Sequence, residues 1–242
     1  MLNWTSDKTF TLGNAQFTLD ISSGYDRRPS EEGDFTLVKT RSYLKDYLRL
    51  KNNRYEHILE LGVFQGGSMV FFDKLFKPRK IVGVELASEP IDALDSYIVS
   101  EAPHMKVFYN SSQDDEKLLN RIYHQELDGQ VDLVVDDASH LYEQTRVSMG
   151  VLFPLLSPGG TYIIEDWAWS HRKTAQGNNH PWTDKPSMTN LIFQTIAELG
   201  TNKEIEDVYI NNNHVRITKA KRGGSNAVLK DLALRGKEMG LI

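Results

Sequence analysis

Acidic residues and a histidine follow two apolar runs in the second half of the chain. The stretch Asp136-Asp137-Ala138-Ser139-His140 comes after the run 131–135, and Glu165-Asp166 comes after the run 161–164. Apolar runs of this length are typical of buried strands. Carboxylates and an imidazole at the ends of two neighbouring strands could form a metal site with a base beside it.

The composition limits the ligands and partners of such a site. The chain has 242 residues, of which 40% are hydrophobic and 25% are charged, as expected for one α/β domain with appended segments. Its net charge of -5 argues against a nucleic-acid partner, since phosphate binding relies on clustered Lys and Arg. The absence of Cys leaves oxygen and nitrogen ligands, which favour Mg²⁺, Mn²⁺ or Ca²⁺.

The hydropathy pattern gives no sign of a membrane partner. No apolar run approaches the roughly 20 residues that a membrane span needs. Residues 1–20 lack the basic-then-apolar order of a signal peptide. We therefore expect a cytoplasmic protein, divided into an N-terminal extension (1–50), a central domain (51–220) and a C-terminal tail (221–242).

The N-terminal extension is predicted to cover the domain that carries the site. Alternating apolar residues over 9–21 predict a small hairpin. The polar stretch 22–33 is typical of a mobile loop or lid, and apolar residues at helical spacing over 35–50 predict a helix.

The central domain alternates strands and helices. Such alternation predicts a mostly parallel sheet, with long loops at the carboxyl ends of its strands for ligand contacts. One such loop, 167–186, is rich in Trp and His. The predicted strands are 57–61, 80–84, 105–109, 131–135 and 161–164. Helices are predicted after the turn 62–68 and through Phe76, over 91–99, from near Asp114, over 145–153 and over 188–199. A closing hairpin is predicted to pair 206–210 with 214–218. The tail is interpreted as a solvated helix or an oligomer contact.

A glycine-containing turn links the first of these strands to its helix. Gly62 and Gly66 allow close backbone approach, and free N–H groups at a helix start favour an anionic group. Glu85 ends the next strand about twenty residues later, where a carboxylate can bridge two ribose hydroxyls. The pattern lacks the third glycine of the dinucleotide fingerprint, and a purely structural turn is the alternative.

The third strand exits through Ser112 and Gln113. Their polar groups suit an adenine edge, although either side chain could instead cap the helix that starts near Asp114. Asp136 is interpreted as a loop residue behind the site rather than a ligand, because adjacent residues of a strand point to opposite sides.

The motifs of the central domain resemble those of a known family. The segment Leu59-Glu60-Leu61-Gly62-Val63-Phe64-Gln65-Gly66-Gly67-Ser68, with Glu85 and Ser112-Gln113-Asp114, is similar to the cofactor motifs of class I S-adenosylmethionine methyltransferases of the catechol O-methyltransferase group. In that group the glycine turn and its Ser hold the methionine end of the cofactor, the acid holds the ribose, and the Ser-Gln pair meets the adenine. The resemblance implies cofactor contacts for Glu60, Gly62, Gly66, Ser68, Glu85, Ser112 and Gln113.

The acidic motifs point to a narrower group. Catechol enzymes place a Lys base three residues after the metal-binding Asp and an Asp-Asn pair after strand five. Here Asp137 precedes His140, and the pair is Glu165-Asp166. This version resembles the metal-dependent sugar O-methyltransferases of macrolide tailoring and the cephalosporin-hydroxylase-like group. The resemblance implies that Asp137, Glu165 and Asp166 bind Mg²⁺ and that His140 is the catalytic base.

The resemblance implies a Rossmann-like fold, with a seven-stranded, mostly parallel sheet ending in an antiparallel hairpin. It implies metal-assisted transfer of a methyl group from S-adenosylmethionine to a hydroxyl of a sugar or glycosylated natural product in secondary metabolism. A catechol or other phenolic acceptor, or a catalytically silent cofactor-binding protein, are the alternatives. The expected partners are a small hydroxyl acceptor and further copies of the chain in a homo-oligomer.

Overall fold

The fold is described from a computed structural model that covers residues 2–22, 27–173, 180, 183–222 and 228–229, and the backbone at 233–234 and 237–238. The chain forms two compact units, Met1–Ser112 and Gln113–Ile242. Parts of the predicted lid (23–26) and of the predicted acceptor loop (174–179 and 181–182, with Trp182) lie outside the described residues. None of the described helices is long and apolar enough to cross a membrane.

The main sheet has seven strands in the order β10-β11-β9-β8-β5-β6-β7. β11 runs antiparallel to β9 and to β10, whereas the pairs β5–β6, β6–β7 and β8–β9 are parallel. The predicted mostly parallel, seven-stranded Rossmann-like fold with a closing antiparallel hairpin is therefore confirmed. Its strands are β5 (His57–Leu61), β6 (Lys80–Val84), β7 (Met105–Phe108), β8 (Leu133–Asp136), β9 (Thr161–Glu165), β10 (Ile205–Ile210) and β11 (His214–Lys219).

The first unit begins with a small sheet of its own. The predicted hairpin forms from two antiparallel strands, but it is joined by two more strands, one of which pairs parallel to the hairpin. In chain order they are β1 (Asn3–Trp4), β2 (Thr9–Leu12), β3 (Ala15–Leu19) and β4 (Asp34–Leu37), followed by helix α1 (Arg41–Arg49).

The predicted helix over 35–50 is wrong in its first residues. Phe35 and Leu37 are buried in β4, and Leu37 pairs with Leu19 of β3. The helix starts after Thr40, whose hydroxyl accepts a hydrogen bond from the backbone N–H of Tyr43. Serine and threonine side chains that cap the first turn in this way define helix starts.

An aromatic cluster joins the small sheet to the rest of the first unit. Helix α2 (Gly67–Phe76) presents Phe71, which makes edge-to-face contacts with Phe10 and Phe17 at centroid distances of 6.3 and 5.9 Å. All three rings are fully buried. The small sheet is therefore part of the core of this unit, which also contains helix α3 (Asp92–Ser100).

The second unit supplies the acidic motifs. Its helices are α4 (Glu116–Arg121), extended by a π-helical turn, α5 (Tyr142–Leu155) and α6 (Thr189–Thr201). Buried Lys219 of β11 donates to the carbonyl oxygens of Pro154 and Leu156 at 2.6 and 2.8 Å, which satisfies the end of α5. The C-terminal tail forms two short antiparallel strands, β12 (Ala233–Leu234) and β13 (Lys237–Glu238), so the helical interpretation is wrong at these residues.

Candidate functional site

The glycine turn of the first unit has a backbone that few sequences can adopt. Gly62, Phe64 and Gly66 all have positive φ angles, of 87°, 52° and 76°. For a bulky residue such as Phe64 this conformation is strained and persists only where the surroundings fix it. Phe64 is nevertheless half exposed at 47%. The backbone of the turn therefore follows an unusual path, which the groups around it must fix.

Glu85 is one of the groups that fix this path. Its Oε2 atom accepts hydrogen bonds from the backbone N–H groups of Val63 and Phe64 at 2.9 and 2.7 Å, and its Oε1 atom accepts one from Ala87 at 2.8 Å. The carboxylate therefore bridges the glycine turn and the loop after β6. The sequence predicts a ribose contact for Glu85, and in the structure both of its carboxylate oxygens accept hydrogen bonds from backbone amides.

The start of α2 has features that suit a small anionic ligand group. Gly66 occupies the N-cap position, and within the described residues no side chain caps the helix. Free N–H groups at a helix start attract anions. A side chain at Gly66 would come within 2.9 Å of Leu94, so this position requires glycine for space as well as for its φ angle.

The remaining residues assigned to the cofactor lie on the same elements. Glu60 is fully buried in β5, Ser68 lies in the first turn of α2, and Ser112 follows β7 as the last residue of the first unit. The structure thus brings Glu60, Gly62, Gly66, Ser68 and Glu85 to one strand-to-helix turn and the end of the next strand. These five positions fit the turn and acid of a nucleoside cofactor site.

Gln113 has a different environment. Its Nε2 atom donates to both carboxylate oxygens of Asp136 at 3.0 and 3.2 Å, and its Oε1 atom accepts from the backbone N–H of Ser139 at 2.9 Å. The side chain is buried, with 5% exposure. Both ends of the amide are therefore committed to the loop that follows β8, where they hold Ser139 in place.

Asp136 is the centre of a buried polar network rather than a surface carboxylate. Besides Gln113, it accepts hydrogen bonds from the hydroxyls of Ser148 and Tyr162 at 3.0 and 2.9 Å. Burial raises the pKa of Asp136, and the hydrogen bond from Tyr162 opposes that shift. Burial likewise raises the pKa of Tyr162. The interpretation of Asp136 as a residue behind the site agrees with this environment.

Asp137, His140 and Asp166 form the one group of potential metal ligands found among the described residues. Each contributes one donor atom, and these atoms lie within 4.8 Å of one another. His140 Nε2 and Asp137 Oδ1 are 3.9 Å apart. Carboxylate oxygens suit a divalent ion such as Mg²⁺ or Mn²⁺, and an imidazole nitrogen beside them can either join the ligands or accept a proton.

The backbone at this group is as unusual as that of the glycine turn. His140 and Asp166 have positive φ angles of 55° and 52°. Backbone strain of this kind clusters at active sites. The N–H of Asp166 donates to the carbonyl of Asn213 at 3.0 Å, so the turn of the closing hairpin helps to hold the conformation.

Glu165, also assigned to the metal, is not in this group. It is the last residue of β9, is 2% exposed, and pairs in register with His214 of β11. The structure therefore brings together two of the three assigned ligands and the assigned base, and it places the third carboxylate next to them in sequence but inside the sheet.

Trp169 is a residue of this site that sequence reasoning did not assign. Its ring lies 4.6 Å from the imidazole of His140, centroid to centroid, and Arg172 stacks over the same indole at 5.2 Å. Trp167 anchors the segment by donating from its Nε1 to the carbonyl of Asn211 at 2.8 Å. The sequence shows that this loop is rich in Trp, but it does not show which of the rings contacts His140.

The comparisons with known proteins agree with these features. Residues 59–167 match the family described as "Methyltransferase domain". Mycinamicin VI 2''-O-methyltransferase of Micromonospora griseorubida is 31% identical over 131 residues, which are 51% of this chain and 29% of that protein. A tetracenomycin-C 3'-O-methyltransferase of Streptomyces olivaceus, acting on the 8-demethyl-8-(2-methoxy-alpha-L-rhamnosyl) compound, is 31% identical over 134 residues, 52% of this chain and 31% of that protein.

Solved structures show the same architecture. MycE methyltransferase, in complex with Mg, S-adenosylhomocysteine (SAH) and mycinamycin VI, aligns with a TM-score of 0.57 and 25% identity over 76% of this chain and 50% of that one. An O-methyltransferase from Bacillus cereus shares the fold, with a TM-score of 0.51 and 15% identity over 76% and 83%. The chain spans half of MycE and less than a third of the curated relatives. Residues 59–167 are thus similar to the methyltransferase domain family, and the chain has a class I, Rossmann-like methyltransferase fold.

Proposed function

We propose that this chain is an S-adenosylmethionine- and divalent-metal-dependent O-methyltransferase that acts on a hydroxyl of a sugar or glycosylated small molecule. The observation that carries the proposal is the close group of Asp137, His140 and Asp166 in a chain whose similar proteins are sugar O-methyltransferases. A phenolic diol is the competing acceptor. We further propose residues 51–220 as the methyltransferase domain.

The metal-ligand group has the chemistry that this reaction requires. When bound, S-adenosylmethionine supplies the methyl group and a divalent ion lowers the pKa of the acceptor hydroxyl. Asp137 and Asp166 would hold the ion, with Glu165 as the third carboxylate. His140 would take the hydroxyl proton at Nε2, and an imidazole is suited to this near neutral pH.

Trp169 would keep the His140 imidazole in the orientation that proton transfer needs. Aromatic contacts at 4.6 Å restrict how a ring can rotate. The buried hydrogen-bond network of Gln113 and Asp136 would fix the loop after β8, because Gln113 holds Ser139, the residue before His140. Trp169 and Gln113 would therefore both keep His140 in position before an acceptor binds.

The base and ligand roles can be separated by binding measurements. If His140 is the base, His140→Ala abolishes turnover and leaves Mn²⁺ binding within about twofold of the wild type. Glu165→Gln then weakens Mn²⁺ binding at least tenfold. The reverse pattern would make His140 the third ligand. Mn²⁺ binding followed by electron paramagnetic resonance distinguishes the two, with Glu143→Gln on the exposed face of α5 as a control.

The activity itself is tested by calorimetry and a methylation panel. We expect S-adenosylmethionine to bind, and we expect methyl transfer to glycosylated macrolides or free sugars that stops on addition of EDTA and returns with Mg²⁺. Methylation of catechols alone would favour the phenolic acceptor. Turnover that is insensitive to EDTA would refute the metal role, and absence of cofactor binding would refute the enzyme assignment.

We also propose a homo-oligomer. β10 is an edge strand of the main sheet and exposes Tyr209 and Ile210 at 38% and 39%, and edge strands offer backbone groups to a second chain. Analytical ultracentrifugation would show a species of at least twice the 27.6 kDa chain mass, and a monomer at all concentrations would contradict the proposal.

A further inference from the structure

We propose that Ser30 is a positioning residue for the cofactor turn, which makes the segment 27–36 a part of the cofactor site. The proposal rests on the proposed function, because it concerns how the glycine turn is held for S-adenosylmethionine. This segment precedes the region matched to the methyltransferase domain, which begins at residue 59. The segment lies within the N-terminal extension.

Ser30 is bonded to the turn through both its backbone and its side chain. Its hydroxyl donates to the carbonyl oxygen of Gln65 at 2.6 Å, and its N–H donates to the Oε1 atom of the same residue at 3.1 Å. The hydroxyl also accepts from the N–H of Thr36 at 2.9 Å. One serine thus joins the small N-terminal sheet to the residue between Phe64 and Gly66.

The same segment contacts the turn at two further places. The guanidinium of Arg27 lies over the ring of Phe64, 5.5 Å from its centroid. A side chain at Gly67, the first residue of α2, would come within 2.0 Å of the carbonyl oxygen of Thr36. The two backbones therefore meet without room for a β-carbon.

The segment is itself held firmly enough to act as a support. Arg28 forms ion pairs with Asp34 and Glu31 at 3.0 and 3.2 Å, and its N–H donates to Asp20 at 2.9 Å. Phe35 of β4 packs against Phe17 of the aromatic cluster, with their ring centroids 6.2 Å apart, and is itself buried. Ser30 is therefore presented to Gln65 from a rigid element, which is the requirement for positioning a ligand site.

Glu85 and Ser30 hold different residues of the turn. Glu85 holds the amides of Val63 and Phe64, and Ser30 holds Gln65. Phe64 and Gly66, on either side of Gln65, both have positive φ angles. Without the Ser30 hydroxyl the strained part of the turn would lose one of its two side-chain supports and keep that of Glu85, and we expect it to sample conformations that do not bind the cofactor.

The test uses calorimetric titration of the full chain with SAH. We expect Ser30→Ala to weaken SAH binding about tenfold, because the hydrogen bonds of the hydroxyl with Gln65 and Thr36 are both lost. Ser30→Thr keeps the hydroxyl and should restore affinity to within about twofold. Ser6→Ala is the matched control, because the Ser6 hydroxyl likewise takes part in two hydrogen bonds with backbone groups. It accepts both, from the N–H groups of Lys8 and Thr9, away from the turn.

Hydrogen exchange provides a second readout that needs no ligand. In the SAH-free protein, Ser30→Ala should speed exchange at the amides of residues 63–66, whereas Ser6→Ala should not. Should Ser30→Ala fail to fold, Gln65→Met removes the Oε1 acceptor and is expected to weaken SAH binding as well.

The outcomes separate this proposal from the proposed function. A wild-type chain that does not bind SAH refutes the function. A wild-type chain that binds SAH, together with a Ser30→Ala variant of equal affinity, refutes the role of Ser30 alone. An equal loss of affinity in Ser6→Ala would also overturn it, because the effect would then be one of general stability.

Discussion

Asp136 and Asp137 are adjacent in the sequence, but their side chains have different environments. Asp136 ends β8 with its carboxylate buried among three donors, whereas Asp137 is partly exposed and lies in the metal-ligand group. The alternation of side chains at a strand end accounts for the division. One carboxylate therefore stabilises the loop, and the other is available to a ligand.

Replacing these two carboxylates should separate stability from metal binding. Asp136→Ala leaves the donors of Gln113, Ser148 and Tyr162 without their acceptor, and we expect a loss of about 3 kcal/mol in the free energy of unfolding. Asp137→Ala should change that free energy by only about 0.5 kcal/mol but abolish Mn²⁺ binding. Urea denaturation and Mn²⁺ titration of both variants test this, and equal destabilisation by the two substitutions would contradict it.

The identities of the candidate residues could be predicted, but their contacts could not. Asp137, His140 and Asp166 stand out because they follow two apolar runs, and the parallel strands formed by those runs end at the same edge of the sheet. Gln113 looked equally suited to an adenine or to a helix cap, and its hydrogen bonds to Asp136 depend on the packing of β8 against α5. Tyr162 and Ser148 are hidden within an apolar strand and a helix, and only the fold shows that their hydroxyls meet one carboxylate.

At the scale of elements, burial made the strands predictable. β5 and β6 coincide with the predicted runs, since strands buried on both faces are continuously apolar. β4 was mistaken for helix because Phe35 and Leu37 also fit a helical spacing with the residues of α1. Its strand conformation is decided by pairing with β3. In this pairing Phe35 lies beside Phe17, which is 18 residues earlier in the chain. Such pairing is a tertiary effect that local pattern does not contain.

The start of helix α3 is held by Tyr109, which directly follows strand β7. Ile91 at the N-cap has no side-chain cap, and its N–H donates instead to the hydroxyl of Tyr109 at 3.1 Å, which itself donates to Asp95 at 3.0 Å. Burial, together with the hydrogen bond to Asp95, raises the pKa of Tyr109 from 10.0 to about 12. The neutral phenol is therefore favoured in the folded state.

This arrangement predicts a pH-dependent stability. A raised pKa means that the contribution of Tyr109 is fully present below pH 10 and is lost as the pH rises through about 12. Tyr109→Phe should cost about 1 kcal/mol at pH 8 and flatten the fall in stability between pH 10 and 12. Unfolding free energies across that range measure this, with Tyr209→Phe on β10 as a control that we expect to retain the fall.

At the scale of the whole molecule, each unit carries one part of the proposed chemistry. The glycine turn and Glu85 belong to Met1–Ser112, and the metal-ligand group belongs to Gln113–Ile242. The net charge of -5 would repel an anionic polymer and leaves the site to small ligands.

Ligand-induced stabilisation should report on the two sites separately. A ligand at 100 times its Kd raises the free energy of unfolding by about 2.7 kcal/mol, so SAH and Mg²⁺ should each raise the thermal midpoint of the wild-type chain. Asp137→Ala should keep the shift with SAH and lose the shift with Mg²⁺. Differential scanning fluorimetry measures both, and a variant that loses both shifts would show that the two sites are not independent.

The three backbone hydrogen bonds of Glu85 also constrain how this protein can change over evolutionary time. An acid that only met a ribose could be exchanged for another residue when a new ligand is selected. Here Glu85 holds the backbone amides of Val63, Phe64 and Ala87, so a substitution that removes its carboxylate loosens the turn whatever its effect on ligand preference. A laboratory selection for a different cofactor should therefore recover changes around Glu85 before it recovers changes of Glu85.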